Sequence, residues 1–120
     1  MARALLSEWS RRVQDDDIAD LYAERAVFLG TFRQDVTKGR AEIGAYFHDL
    51  RARGLVGVSL GSITSQSLAP GVTALSGLYE FHFPPPRRKR VDAAARFSML
   101  FRQDHRSGRW YIVNHHSSRV

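Results

Sequence analysis

The chain has 120 residues and no cysteine, and its formal net charge is +6. The length suits a single domain over residues 1–120, and the 43% hydrophobic content excludes a disordered tail. Without cysteine, a disulfide framework, a thiolate metal site and a cysteine nucleophile are all excluded.

The positive charge does not indicate a nucleic-acid surface. The arginines are spread along the chain, and no aromatic residue interleaves with the one basic run, PPPRRKR at 84–90. That run predicts a solvated loop between strands, with a patch for phosphate or an acidic partner as the alternative. The first residues lack the apolar run of a signal peptide, and no segment is apolar over the length of a membrane span. We therefore expect a cytoplasmic protein that does not contact a membrane.

Three helices are predicted in the first half of the chain. Apolar residues at helical spacing indicate a first helix over 2–14. Asp16 or Asp17 would cap a second helix. Gly39 would open a third helix, and Gly54 would cap its C-terminal end. The buried stripe of the second helix would contain Ile18, Leu21, Tyr22 and Ala26.

Strands dominate the second half, where the apolar period changes from 3.6 to 2. A first strand is predicted at 26–32, before the third helix. Four longer antiparallel strands follow at 55–68, 72–83, 92–104 and 109–118. The prediction is therefore an α+β fold in which three helices pack on a strongly curved antiparallel sheet, leaving a concave pocket.

The final predicted strand ends in HHSS, residues 115–118. Neighbours on a strand point to opposite faces, so His115 shares a face with Ser117, and His116 shares the other with Ser118. Adjacent histidines on one strand cannot coordinate the same metal ion. Neither serine lies in a G-x-S-x-G motif, which is typical of a serine nucleophile. We expect a polar pocket without metal or other cofactor. The alternative is that these residues satisfy one another or lie in a dimer interface.

Several segments together resemble a known family: DDDIADLYAERAVFLGT, IGAYF, SGLYEF, ARFSMLFRQ and RWYIVNHHSS. They are similar to a bacterial family that resembles the association domain of calcium/calmodulin-dependent protein kinase II. That domain belongs to the nuclear transport factor 2-like (SnoaL-like) superfamily. The resemblance covers nearly the whole chain, from Leu5 to Ser118.

The resemblance implies a conical α+β roll that forms a homodimer or larger assembly through its outer sheet face. Relatives with the HHSS ending include metal-independent carbonic anhydrases of the iota class, in which a threonine, a tyrosine, a histidine and a serine surround bicarbonate. Other relatives belong to polyketide and enediyne biosynthesis. The implied ligand is therefore CO2 and bicarbonate, or a polyketide-type intermediate that the protein would cyclise, isomerise or shelter. The third possibility is an oligomerisation module without catalysis.

Carried over by position, the implied catalytic residues are Thr31, Tyr46, His115 and Ser117. The hydroxyl groups would hold the bicarbonate oxygens, and His115 would orient or deprotonate the attacking water. This pair is preferred to the other histidine and serine because the pocket residues of the kinase association domain fall on its face. The expected further ligand-binding residues are His116, Ser118, Tyr22 and Tyr79.

Overall fold

The computed structural model of the chain describes residues 1–84 and 91–120, and for Val91 and Asp92 it describes the backbone only. Residues 85–90, which hold the cations of the predicted basic loop, lie outside the described residues. The elements in chain order are α1 (Ala2–Arg12), a 3₁₀ helix (Ile18–Leu21), β1 (Tyr22–Leu29), β2 (Thr37–Lys38), α2 (Gly39–Ala52), β3 (Gly57–Ala69), β4 (Val72–Phe83), β5 (Val91–Gln103) and β6 (Trp110–Arg119).

The first and third predicted helices are present as α1 and α2, whereas the second is a four-residue 3₁₀ helix followed by a strand. Ile18 and Leu21 are buried as predicted. At Tyr22, however, the backbone already pairs with Ile112 of β6. Tyrosine, valine and phenylalanine favour strands, and the sheet ladder therefore begins where the helix was expected. The prediction of three α-helices is not met.

The six strands form one sheet in the order β2-β1-β6-β5-β4-β3. Strands β1 and β6 run parallel, and all other neighbours run antiparallel. Both helices contact the inner face of this sheet. Trp9 of α1 stacks on Tyr79 of β4 with ring centroids 5.2 Å apart, and Phe47 of α2 stacks on Phe28 of β1 at 5.7 Å. The α+β class is confirmed, with the core between the helices and the sheet.

The inner and outer faces of the sheet differ sharply in burial, as alternation along strands requires. On β4, Leu75, Tyr79 and Phe81 are buried, whereas Leu78 is 44% exposed.

No helix among the described residues combines the length and the apolar character that a membrane span requires.

We expect Leu75→Ala to lower the free energy of unfolding by about 2–5 kcal/mol, because it removes a fully buried side chain from the core. The matched control, Leu68→Ala at an exposed position of β3, should change it by roughly 0.5 kcal/mol or less. Urea unfolding of both variants measures the difference. Equal losses would contradict the assignment of Leu75 to the core.

Candidate functional site

A bulge in β6 decides which of its side chains face the core. Adjacent residues of β5 pair with Ile112 and Asn114, which leaves Val113 as an extra residue on β6. A bulge lets two residues occupy one position of the two-residue alternation. Ile112, His115 and Ser117 consequently share the buried face.

The other histidine and serine lie on the outer face of the sheet. His116 is exposed and Ser118 is half-buried. His116 pairs across the strands with Ser98 of β5, whose hydroxyl lies 3.2 Å from that of Ser76 on β4. The structure therefore does not bring His116 and Ser118 to the buried cluster with His115.

His115 has no exposed surface, and tyrosines occupy both of its ring nitrogens. The Tyr22 hydroxyl lies 2.8 Å from Nδ1, and the Tyr79 hydroxyl lies 2.9 Å from Nε2. Trp9 donates its indole N–H to the Tyr22 oxygen over 3.0 Å. The imidazole ring stacks on Phe28 with centroids 4.4 Å apart. His115 therefore reaches a ligand or a water only through its tyrosine neighbours, not directly.

Burial sets the protonation states in this cluster. It lowers the pKa of His115 to about 3, with a smaller contribution from neighbouring His116. Burial also raises the pKa of Tyr22 and of Tyr79 above the ordinary tyrosine range. At neutral pH the imidazole is uncharged and both phenols keep their protons.

Thr31 and Ser117 extend the polar cluster toward the surface. The Ser117 hydroxyl is hydrogen-bonded to that of Thr31, and a hydrogen bond with Ser117 also lowers the pKa of Tyr79. Ser117 is 4% exposed, whereas Thr31, just beyond β1, is partly exposed. Thr31 is therefore the member of the cluster that lies nearest to solvent.

Tyr46 on α2 meets the same turn from the helix side. Its hydroxyl oxygen accepts the backbone N–H of Phe32 over 3.2 Å. Burial raises the pKa of Tyr46 to about 12, although the backbone donors of Phe32 and Thr31 oppose the shift. Gly30 makes room for the ring, because a Cβ atom there would lie 2.5 Å from the Tyr46 Cζ atom. Thr31 and Tyr46 thus place two hydroxyl groups at one turn.

Two arginines lie beside this turn. The guanidinium of Arg33 lies 5.6 Å from the centre of the Tyr46 ring and also pairs with Asp49 at 3.2 Å. The guanidinium of Arg119 lies 5.3 Å from the centre of the Phe32 ring. Asp49 offsets the charge of Arg33, so Arg119 is the cation that adds a positive field at this turn, and such a field favours anions.

The sequence interpretation missed the part that Trp9 plays in this cluster. Trp9 belongs to the apolar residues that predict the first helix, and it is fully buried. The missed signal is chemical, because an indole N–H that is buried almost always needs an acceptor. That acceptor, Tyr22, lies 13 residues away in sequence.

Among the described residues, no three His, Cys, Asp or Glu side chains lie together as a metal site would require.

We expect the stability of the protein to fall as the pH drops from about 6.5 to about 3, partly because of His115. In this window the unfolded chain protonates this residue and the folded protein does not. The stabilisation is complete above pH 6.5 and decreases by about 1 kcal/mol per pH unit below it. Urea unfolding across this range should show a shallower slope for His115→Gln than for the parent. Parallel slopes would contradict a neutral, buried His115.

No family model and no curated protein matches the chain. Solved structures do match. One, described as a calcium/calmodulin dependent protein kinase II association domain from Xanthomonas campestris, has a TM-score of 0.87 and 28% identity, covering 99% of this chain and 85% of its own. An NTF2-like protein with a cystatin-like fold from Novosphingobium aromaticivorans has a TM-score of 0.81 and 17% identity, and the match covers 99% of this chain and 79% of that protein. The S. rosetta CaMKII hub has a TM-score of 0.80 and 16% identity, and the match covers 99% of this chain and 94% of the hub. The chain has the NTF2-like, cystatin-like fold.

Proposed function

We propose that the buried cluster binds a small oxyanion and that the protein catalyses reversible CO2 hydration without a metal. The observation that carries the proposal is that the Thr31 and Ser117 hydroxyl groups are hydrogen-bonded and the Tyr46 hydroxyl binds the same turn, while Ser117 shares its buried face with a neutral His115. The resemblance of the HHSS ending to metal-independent carbonic anhydrases supports the same ligand.

The polar cluster stands in an interior that is otherwise apolar. Polar groups cost free energy in such a place unless they are hydrogen-bonded or bind a ligand. The described bonds account for both nitrogens of His115. They also give the Tyr46 oxygen a backbone donor, which leaves its proton available to another acceptor. Thr31 and Tyr46 are the residues that a bicarbonate oxygen would contact.

The proposed reaction uses these hydroxyl groups to stabilise charge. A water oxygen forms a bond to the carbon of CO2, one of its O–H bonds breaks, and the proton passes to buffer or bulk water. The new negative charge lies on oxygens that Thr31 and Tyr46 hold by hydrogen bonds. Arg119 adds a favourable field beside this turn. His115 holds Tyr79 in place and does not take the proton, because both of its nitrogens are occupied.

This mechanism predicts a slow hydratase, because no zinc-bound hydroxide is generated. Stopped-flow CO2 hydration on protein treated with a chelator should exceed the buffer rate. Loss of one oxyanion donor costs roughly 10²–10³-fold, and we expect Thr31→Val to lower kcat to that extent. Thr31→Ser keeps the hydroxyl and should retain most activity. A parent protein that does not exceed the buffer rate would rule out the proposal.

A larger apolar ligand, such as a polyketide or enediyne intermediate, is the alternative. Such a ligand needs an apolar cavity with a volume on the order of 300 Å³ or more. Around His115 the rings of Trp9, Tyr22, Phe28 and Tyr79 instead pack against one another or against the imidazole. This packing favours the smaller ligand.

We also propose that the outer sheet face joins two copies of the chain. Leu78 is 44% exposed there and lies beside Arg96 of β5. The similarity to an association domain and to a hub supports self-association through this fold.

Leu78→Arg should lower the mass measured by analytical ultracentrifugation, because it would place like charges side by side within an interface. Val36→Arg is the control, since Val36 is equally exposed but lies in the segment before β2. Catalysis should be unchanged in both variants. An unchanged mass for Leu78→Arg would contradict the interface.

A further inference from the structure

One continuous chain of hydrogen bonds crosses the interior. Its members, in order, are Trp9, Tyr22, His115 and Tyr79. All four are buried. Every hydroxyl group in the chain has one proton to give, so the positions of the protons can be worked out from the first member onward.

The indole of Trp9 can only donate, and its N–H points to the oxygen of Tyr22. The phenol proton of Tyr22 therefore needs a different acceptor. Nδ1 of His115 is the one that the structure provides, at 2.8 Å. A nitrogen that accepts this proton carries none of its own.

The neutral imidazole then has its single proton on Nε2, which donates it to the Tyr79 oxygen at 2.9 Å. The Tyr79 oxygen accepts this proton, so the hydroxyl proton of Tyr79 points away from the imidazole.

The opposite direction is worse. If Nδ1 of His115 carried the proton, Tyr22 would accept from both Trp9 and the imidazole. The phenol proton of Tyr22 would then have no acceptor at a position with no exposed surface. An unsatisfied buried donor costs the whole desolvation penalty of the group.

We propose that Trp9, acting through Tyr22, holds His115 as the Nε2–H tautomer, so that the imidazole donates to Tyr79 and Tyr79 keeps its own proton for another acceptor. Trp9 and Tyr22 are positioning residues in this scheme, since neither touches the ligand. The ligand class is a carboxylate or bicarbonate oxygen, and this part rests on the proposed oxyanion site. The tautomer does not depend on any catalytic activity.

The tautomer is measured directly by long-range ¹H–¹⁵N NMR of the imidazole in the full chain at pH 7. His115→Gln identifies the signals. We expect one neutral species, with the proton on Nε2 and a bare Nδ1. A proton on Nδ1, or on both nitrogens, would overturn the proposal even if CO2 hydration is observed.

The part played by Trp9 has its own test. Trp9→Phe removes the donor to Tyr22 and leaves an aromatic ring, so the two directions become closer in free energy and the Nδ1–H species should become detectable. Phe28→Leu is the matched control, because it disturbs the ring stacked on His115 but removes no hydrogen bond. A folded Trp9→Phe protein with the unchanged parent spectrum would overturn the inference about Trp9. The spectrum of the parent protein tests the tautomer whether or not this variant folds.

The ligand class is tested with formate and with methylammonium, two probes of similar size that offer an acceptor and a donor respectively. Formate should shift the Ser117 and Thr31 resonances of the parent. Thr31→Val should weaken its binding by roughly 10- to 100-fold, and Thr31→Ser should not. Binding of methylammonium, or failure of formate to bind, would overturn the ligand class. Failure of the hydration assay with formate still bound would instead reject only the reaction.

Discussion

An imidazole without any contact to water must have a partner at each ring nitrogen, and this requirement organises the interior of the protein. The partners of His115 come from different parts of the chain: Tyr22 opens β1, Tyr79 lies in β4, and Trp9 behind them lies in α1. None of these contacts is local in sequence. The cluster therefore forms only when α1, the strands β1 and β4 and the final strand have come together, and its geometry depends on the whole fold.

Much of the fold follows from sequence periodicity, because a two-residue alternation over ten or more residues has few alternatives to a strand. The strands β4 and β6 begin and end within about a residue of their predicted bounds. The segment after the aspartates behaves differently. Its apolar residues fit a helical stripe, yet pairing of Tyr22 with β6 converts the stripe into a 3₁₀ helix and a strand. Local pattern does not contain that long-range pairing.

The candidate site is predictable only in part. Strand alternation separates His115 and Ser117 from their neighbours but does not say which pair is buried, because the Val113 bulge is invisible in the sequence. Thr31 and Tyr46 come from family resemblance and not from any spacing rule. The hydrogen bond from Trp9 depends on a three-dimensional distance, so the same residue reads in sequence as simple packing.

Each residue type in HHSS occurs twice in succession, and this affects how the last strand responds to a one-residue shift. A strand without the bulge would turn His116 and Ser118 inward in place of His115 and Ser117, by the same alternation. Either phase presents a histidine followed, two residues later, by a serine. A shift of one residue usually destroys a site built on a strand, because it exchanges the entire set of side chains. Here a one-residue shift would replace His115 by His116 and Ser117 by Ser118. The outer face of the sheet therefore holds a second histidine and serine with the same spacing.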